Sequence, residues 1–90
     1  MLYEWDENKR QSNLKKHGLD FAVAWMVLED PNSYTCDDVK HSQNEIRKTT
    51  IGLFKDMYVV VIIHTDRNGV TRIISFRRAN KKERKELWQL

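Results

Sequence analysis

The chain has one cysteine, one proline and three glycines in 90 residues, and each shortage removes a class of explanation. The single thiol, Cys36, cannot form an internal disulfide, and a reducing compartment is expected. The three glycines make no glycine-rich phosphate loop, and there is no CxxC and no HExxH. Apolar runs are short. An unbroken one such as Val59 to Ile63 is far below the roughly 20 residues that span a bilayer. The polar, acidic opening Tyr3-Glu4-Trp5-Asp6-Glu7 is not that of a signal peptide. A cytoplasmic protein with no membrane partner is therefore expected.

What is present is that of a folded globular protein, and 90 residues make one domain, 1–90, near the lower size limit for a single core. The net charge is only +3, but the charge is unevenly spread. From Asp20 to Asp38 there are five acids and no base. From Arg67 to Lys85 there are eight bases (Arg67, Arg72, Arg77, Arg78, Lys81, Lys82, Arg84 and Lys85) against Glu83 alone. A basic end of this kind suits a polyanionic partner, nucleic acid or acidic protein, as well as it suits a solubilising surface.

The chain is organised around Met57 to Ala79, where two apolar, β-branched runs flank Asp66-Arg67-Asn68-Gly69. Asn-Gly in that setting predicts a hairpin, because both central residues of a type I′ turn need positive φ. A two-residue loop would pair Arg67 with Val70, Thr65 with Arg72, Ile63 with Ile74 and Val61 with Phe76. Period-two alternation then gives one apolar face (Val59, Val61, Ile63, Ile74, Phe76, with Arg72 and Arg78 towards the ends), expected to pack on helices. The other face is mixed: Tyr58, Val60, Ile62, His64, Thr71, Ile73, Ser75 and Arg77.

Around the hairpin the reading is β-α-α-β-β-β-β-α. Met1 to Trp5 reads as a strand, and Asp6 caps a helix running to about His17 and ended by Gly18. Leu14 is that helix's only apolar side chain, while Lys9, Asn13 and His17 line one side at i, i+4 and i+8. Spacing alone favours a solvated helix anchored by Trp5 and Leu14 over a polar stripe aimed at the sheet's edge. Asp20 caps a second helix, Phe21 to about Glu29, apolar nearly all round and stopped by Asp30-Pro31-Asn32-Ser33. Tyr34 to Cys36 forms a short strand, and Glu45 to about Phe54 a longer one with Glu45, Arg47, Thr49, Ile51 and Leu53 on one face. Asn80 and Glu83 have the spacing of a capping box for a last helix, anchored by Leu87, Trp88 and Leu90. The fold class is α+β: a mostly antiparallel sheet with two N-terminal helices and one C-terminal helix.

Asp37, Asp38 and His41 are the nearest thing to a metal cluster, but adjacent acids in a loop are usually solvated, and neither metal nor cofactor is expected. The remaining set, His, Glu, Lys and Arg, can cleave RNA without a metal. A base deprotonates the ribose 2′-OH, arginines stabilise the charge gathering on phosphorus, and an acid or cation helps the 5′ oxygen leave.

Three co-linear motifs carry a resemblance over nearly the whole chain. Tyr3-Glu4-Trp5-Asp6, Lys9, Asn13 and Lys16-His17-Gly18 resemble the opening of the BrnT family of type II toxins. His41-Ser42, Glu45, Arg47 and Ile51-Gly52 resemble its central segment. Val59 to Arg84 resembles its closing segment. The resemblance implies a RelE-like fold, metal-independent endoribonuclease activity and a BrnA-type antitoxin, a ribbon-helix-helix protein through which the complex reaches DNA. It also implies functional positions: Lys9, His17, His41, Glu45, Arg47, Arg67, Arg72, Arg77 and Arg84. Members often carry an aromatic hydroxyl in the last helix, where this chain has Leu87 and Trp88; Tyr58 is the substitute the mixed face offers.

The site is therefore expected to use Arg77 and Arg72 for phosphate and transition-state stabilisation. Glu45, His17 or His41 is the general base, and Lys9, Arg47, Arg67, Lys81 and Arg84 hold RNA. Parity puts Arg72 and Arg77 on opposite faces of an ideal strand, so both serve one site only if a bulge or strong twist lies between them. The alternatives are a non-catalytic nucleic-acid-binding or co-repressor module, and an interaction domain whose basic strip holds an acidic protein.

Overall fold

The computed structural model describes residues 2–38 and 45–88. In chain order the elements are β1 (Leu2–Trp5), α1 (Glu7–His17), a 3-10 turn (Phe21–Val23), α2 (Trp25–Leu28), β2 (Tyr34–Asp38), β3 (Arg47–Phe54), β4 (Tyr58–Arg67), β5 (Val70–Arg78) and α3 (Lys81–Leu87). The strands make one sheet in the order β1-β5-β4-β3-β2. All neighbours are antiparallel except β1 and β5, which run parallel. The expected α+β class with a mostly antiparallel sheet is what forms.

The local signals act as their chemistry requires. Asn68 and Gly69 both have positive φ, 52° and 80°, and Arg67 pairs with Val70 across the two-residue turn. Asp6 caps α1 by accepting from the Lys9 N–H. Asn80 and Glu83 form a reciprocal capping box at the start of α3. The second helix is less regular than expected: Asp20 caps a 3-10 turn, and only Trp25–Leu28 is α-helical. It is also not apolar all round in use, since Val27 is buried while Trp25 and Met26 face solvent. Its close approach to the sheet is set by Gly52, where a Cβ would lie 2.7 Å from a Val27 methyl carbon.

The hairpin register departs from the simple pairing. Thr65 faces Arg72 and His64 faces Ile73, but Ile63 then faces Ser75, Ile62 faces Phe76 and Val61 faces Arg77. Ile74 is the extra residue of a β-bulge. The expected Ile63–Ile74 and Val61–Phe76 pairs do not form. Beyond Ile74 the parity of β5 inverts, so Phe76 and Arg78 join Val60, Ile62, His64 and Ile73 on one face. This is the face that packs on the helices: Leu19, Phe21, Ala24, Val27, Phe54, Val60, Ile62, Ile73 and Phe76 form the main core. The face read as mixed is thus the inner one. His64 is buried there, its Nε2 2.7 Å from Thr50 Oγ1 and its Nδ1 without a partner among the described residues. Tyr58 also packs against this core and lies under the Arg78 guanidinium at 3.9 Å, away from Arg77's face. The other face, carrying Val59, Val61, Ile63, Thr65 and Arg67 of β4, meets α3 and the residue after it, where Leu87 and Trp88 pack with Ile51, Val61 and Ala79.

α1 is held to the sheet by an amide. Leu14, the expected anchor, is exposed, and Asn13 is the buried residue. β1 ends at Trp5, opposite Ile73, which leaves the outer edge of β5 open beyond that point. Asn13 fills it: Nδ2 donates to the carbonyls of Phe76 (2.7 Å) and Leu19 (3.0 Å), and Oδ1 accepts from the Phe76 N–H at 3.2 Å. The polar stripe of α1 therefore faces the strand edge, which spacing alone did not favour. Removing this amide orphans three backbone groups, each costing about 1–3 kcal/mol when buried. Asn13→Ala is expected to lower the unfolding free energy by roughly 3 kcal/mol, and Leu14→Ala by less than about 0.5 kcal/mol, in urea titrations. The reverse order would contradict this account of how α1 is anchored.

Candidate active site

The bulge brings Arg67, Arg72, Ser75 and Arg77 onto the outer face of β4 and β5, beside Arg47 and Thr49 of β3. The condition for Arg72 and Arg77 to share a site is thereby met. On this face the cations fall into two groups.

At the hairpin end, Glu45 receives a two-pronged ion pair from Arg67, with Nε and one terminal nitrogen at 2.9 and 2.7 Å. The segment before β3 is fixed nearby, since Thr65 Oγ1 donates to the Ile46 carbonyl at 2.8 Å. The bond from Arg67 holds the Glu45 carboxyl below the usual carboxylate range, with Arg47 and Arg72 adding to the effect. Arg72 itself lies 3.6 Å from Glu4, which β1 places opposite it in the sheet. Glu45, Arg47, Arg67 and Arg72 are thus one cluster, with Glu45 ionised inside it.

At the α3 end, Arg77 is gripped by Glu83 through two bonds of 2.7 and 2.8 Å, and also donates to the Arg78 carbonyl at 3.3 Å. The Glu83 carboxylate also accepts from the Asn80 N–H at 2.9 Å, so one side chain caps α3 and orients the arginine. The bonds from Arg77 push the Glu83 pKa down, and those to Glu83 raise that of Arg77. Of the five N–H donors of a guanidinium, these three bonds leave two of Arg77's without a partner among the described residues. His17, at the C-terminal end of α1, feels the Arg77 charge. Burial first, then Lys16 and Arg77, hold its pKa below 6.5.

The other positions are more peripheral. Lys9 on α1 and Lys81 and Arg84 on α3 are exposed, and Arg84 also donates to the Ala79 carbonyl at 3.0 Å. His41 lies outside the described residues. Asp37 and Asp38 sit on the edge strand β2, and among the described residues no three His, Cys, Asp or Glu side chains are grouped to hold a metal ion. Three contributors were not singled out from sequence: Glu4, Asn13 as a strand-edge cap, and Glu83 as the holder of Arg77. The Asn80–Glu83 spacing identified the cap, but only the parity inversion places Arg77 within its reach.

Comparisons with known proteins bear on the family and the fold. A family model described as "Ribonuclease toxin, BrnT, of type II toxin-antitoxin system" matches residues 5–83. The crystal structure of the Brucella abortus ribonuclease toxin BrnT superposes with a TM-score of 0.71 at 27% identity, over 90% of this chain and 100% of that one. No curated protein matches the sequence. With 79 of its 90 residues inside that match, the chain belongs to the BrnT family of ribonuclease toxins of type II toxin–antitoxin systems.

Proposed function

We propose that this chain is a metal-independent endoribonuclease toxin with a RelE-like fold, working in the cytoplasm on RNA and neutralised by a BrnA-type, DNA-binding antitoxin. The observation that carries the reading is the Ile74 bulge, which gathers Arg72, Ser75 and Arg77 on one rigid face. Arg77 is the principal phosphate and transition-state ligand: it is oriented by two bonds and keeps two donors in reserve. Arg72 supplies a second positive charge. His17 is the general base. Its depressed pKa keeps it neutral at pH 7, free to take the 2′-OH proton, while Glu45 is committed to Arg67 and too weak a base for that step. Arg47 and Arg67 line the hairpin end of the RNA path, and Lys9, Lys81 and Arg84 its margins. Because RNA carries its own nucleophile, no metal-bound water is required. His41 is assigned the role of second proton carrier.

Arg77→Ala is expected to fold and to lose roughly 100- to 1000-fold in cleavage rate, measured on a defined RNA in the presence of EDTA. A folded variant of full activity, or wild-type activity that EDTA abolishes, would contradict the mechanism.

The pH dependence follows from the sign of the His17 shift. The neutral form is the active one, and its folded pKa lies below 6.5, so kcat/KM should be flat near neutrality and fall on acidification with a midpoint below that value. His17→Ala should lower the plateau by roughly 100-fold or more and remove that limb. A wild-type profile that rises on acidification would assign His17 a different role.

A further inference from the structure

We infer that a second surface, the cleft between the C-terminal end of α3 and the β2–β3 side of the sheet, is a docking site for a basic polypeptide segment bearing a large apolar side chain. The cleft has a volume of about 720 Å³. Tyr34, Leu53, Leu87 and Trp88 give it apolar walls, and Asp30, Asp56 and Glu86 supply its charge. Its electrostatics invert those of the catalytic face. There, Arg67, Arg72 and Arg77 each have a carboxylate partner. Here, Asp56 and Glu86 have no cationic partner among the described residues, in a chain whose net charge is +3. The indole Nε1 of Trp88 is buried and has no acceptor among the described residues.

These features select the occupant. RNA phosphates are repelled by three carboxylates, and like-charge juxtaposition is a strong filter on partners. A peptide with Lys or Arg flanking one apolar anchor satisfies all of them: the cations meet the acids, the anchor meets Leu53, Leu87 and Trp88, and a backbone carbonyl can accept the indole N–H. The occupant is therefore a partner polypeptide of that chemistry, a segment with Lys or Arg on either side of one large apolar side chain, and its place beside the catalytic face rests on the toxin reading above. The site is also placed to matter for activity. Glu83, which orients Arg77, lies one turn before Leu87 on the same short helix.

The test follows the Trp88 indole N–H resonance of the ¹⁵N-labelled chain, assigned with Trp88→Phe. Two probes are titrated separately: the capped peptide Lys-Arg-Leu-Phe-Lys-Arg and a 2′-O-methylated, uncleavable RNA oligonucleotide. The peptide should move the indole signal and saturate in the millimolar range or below, about −4 kcal/mol of binding. Asp56→Asn with Glu86→Gln should weaken it roughly fivefold or more. The RNA should move the amides of Arg72, Ser75 and Arg77 and leave Trp88 in place. A Trp88 signal unmoved by peptide at about 5 mM would overturn the proposal. So would one moved more readily by RNA, or one moved by protein concentration alone, which would make the occupant a second copy. Peptide binding by a chain that fails to cleave RNA would keep the docking site and refute the nuclease reading.

Discussion

Ile74 has no partner on β4, and the arrangement of both faces of the sheet depends on that one unpaired residue. In an unbroken ladder, Phe76 would turn towards α3 and Arg77 towards the helices, among Val60, Ile62 and Phe54. Burying an unpaired guanidinium there would cost several kcal/mol, as would leaving a phenyl ring outside the core. The bulge avoids both. It sends Phe76 inward, edge-on to Phe54 at 5.4 Å, and Arg77 outward to Glu83. The same inversion lets Asn13 reach the Phe76 backbone, and so brings α1 and His17 to the part of the strand that carries Arg77.

On the outer face three arginines on rigid strands, Arg67, Arg72 and Arg77, are each tethered by an acid from a different element: Glu45 from the segment before β3, Glu4 from β1, Glu83 from α3. Exposed pairs of this kind add little stability, typically under about 1 kcal/mol each. Their contribution is geometric. A held guanidinium loses less freedom when a phosphate arrives, which is where preorganised charge acts on a transition state. The acids also screen neighbouring arginines from one another until RNA supplies its own negative charge.

Much of this was legible in the sequence, for reasons that are local. The Asn-Gly turn, the Asp6 and Asn80 caps and the alternation along β3 from Arg47 to Leu53 are short-range signals, and each appears as read, whereas Glu45, read as the first residue of that strand, lies in the segment before it. The three family motifs located the chain's relatives. The bulge was not legible: Ile73-Ile74 is an ordinary β-branched pair with no glycine to mark an irregularity. One unseen residue then exchanged the predicted faces, and with them the expected environments of His64, Tyr58 and Arg78. The anchoring of α1 was missed because a buried asparagine looks like a solvent residue until its strand-edge partner is known. The apolar stretch from Phe21 was read as one long helix because composition does not show which side chains, such as Trp25, face outward.

The central claim is that Arg72 and Arg77, on opposite faces of an ideal strand, act on one phosphate path. A double-mutant cycle on RNA cleavage, Arg72→Ala, Arg77→Ala and the pair, tests it most directly. The account predicts strong non-additivity, with the double variant little slower than the slower single one, as for residues that work as a unit. Losses that simply multiply would contradict a shared site.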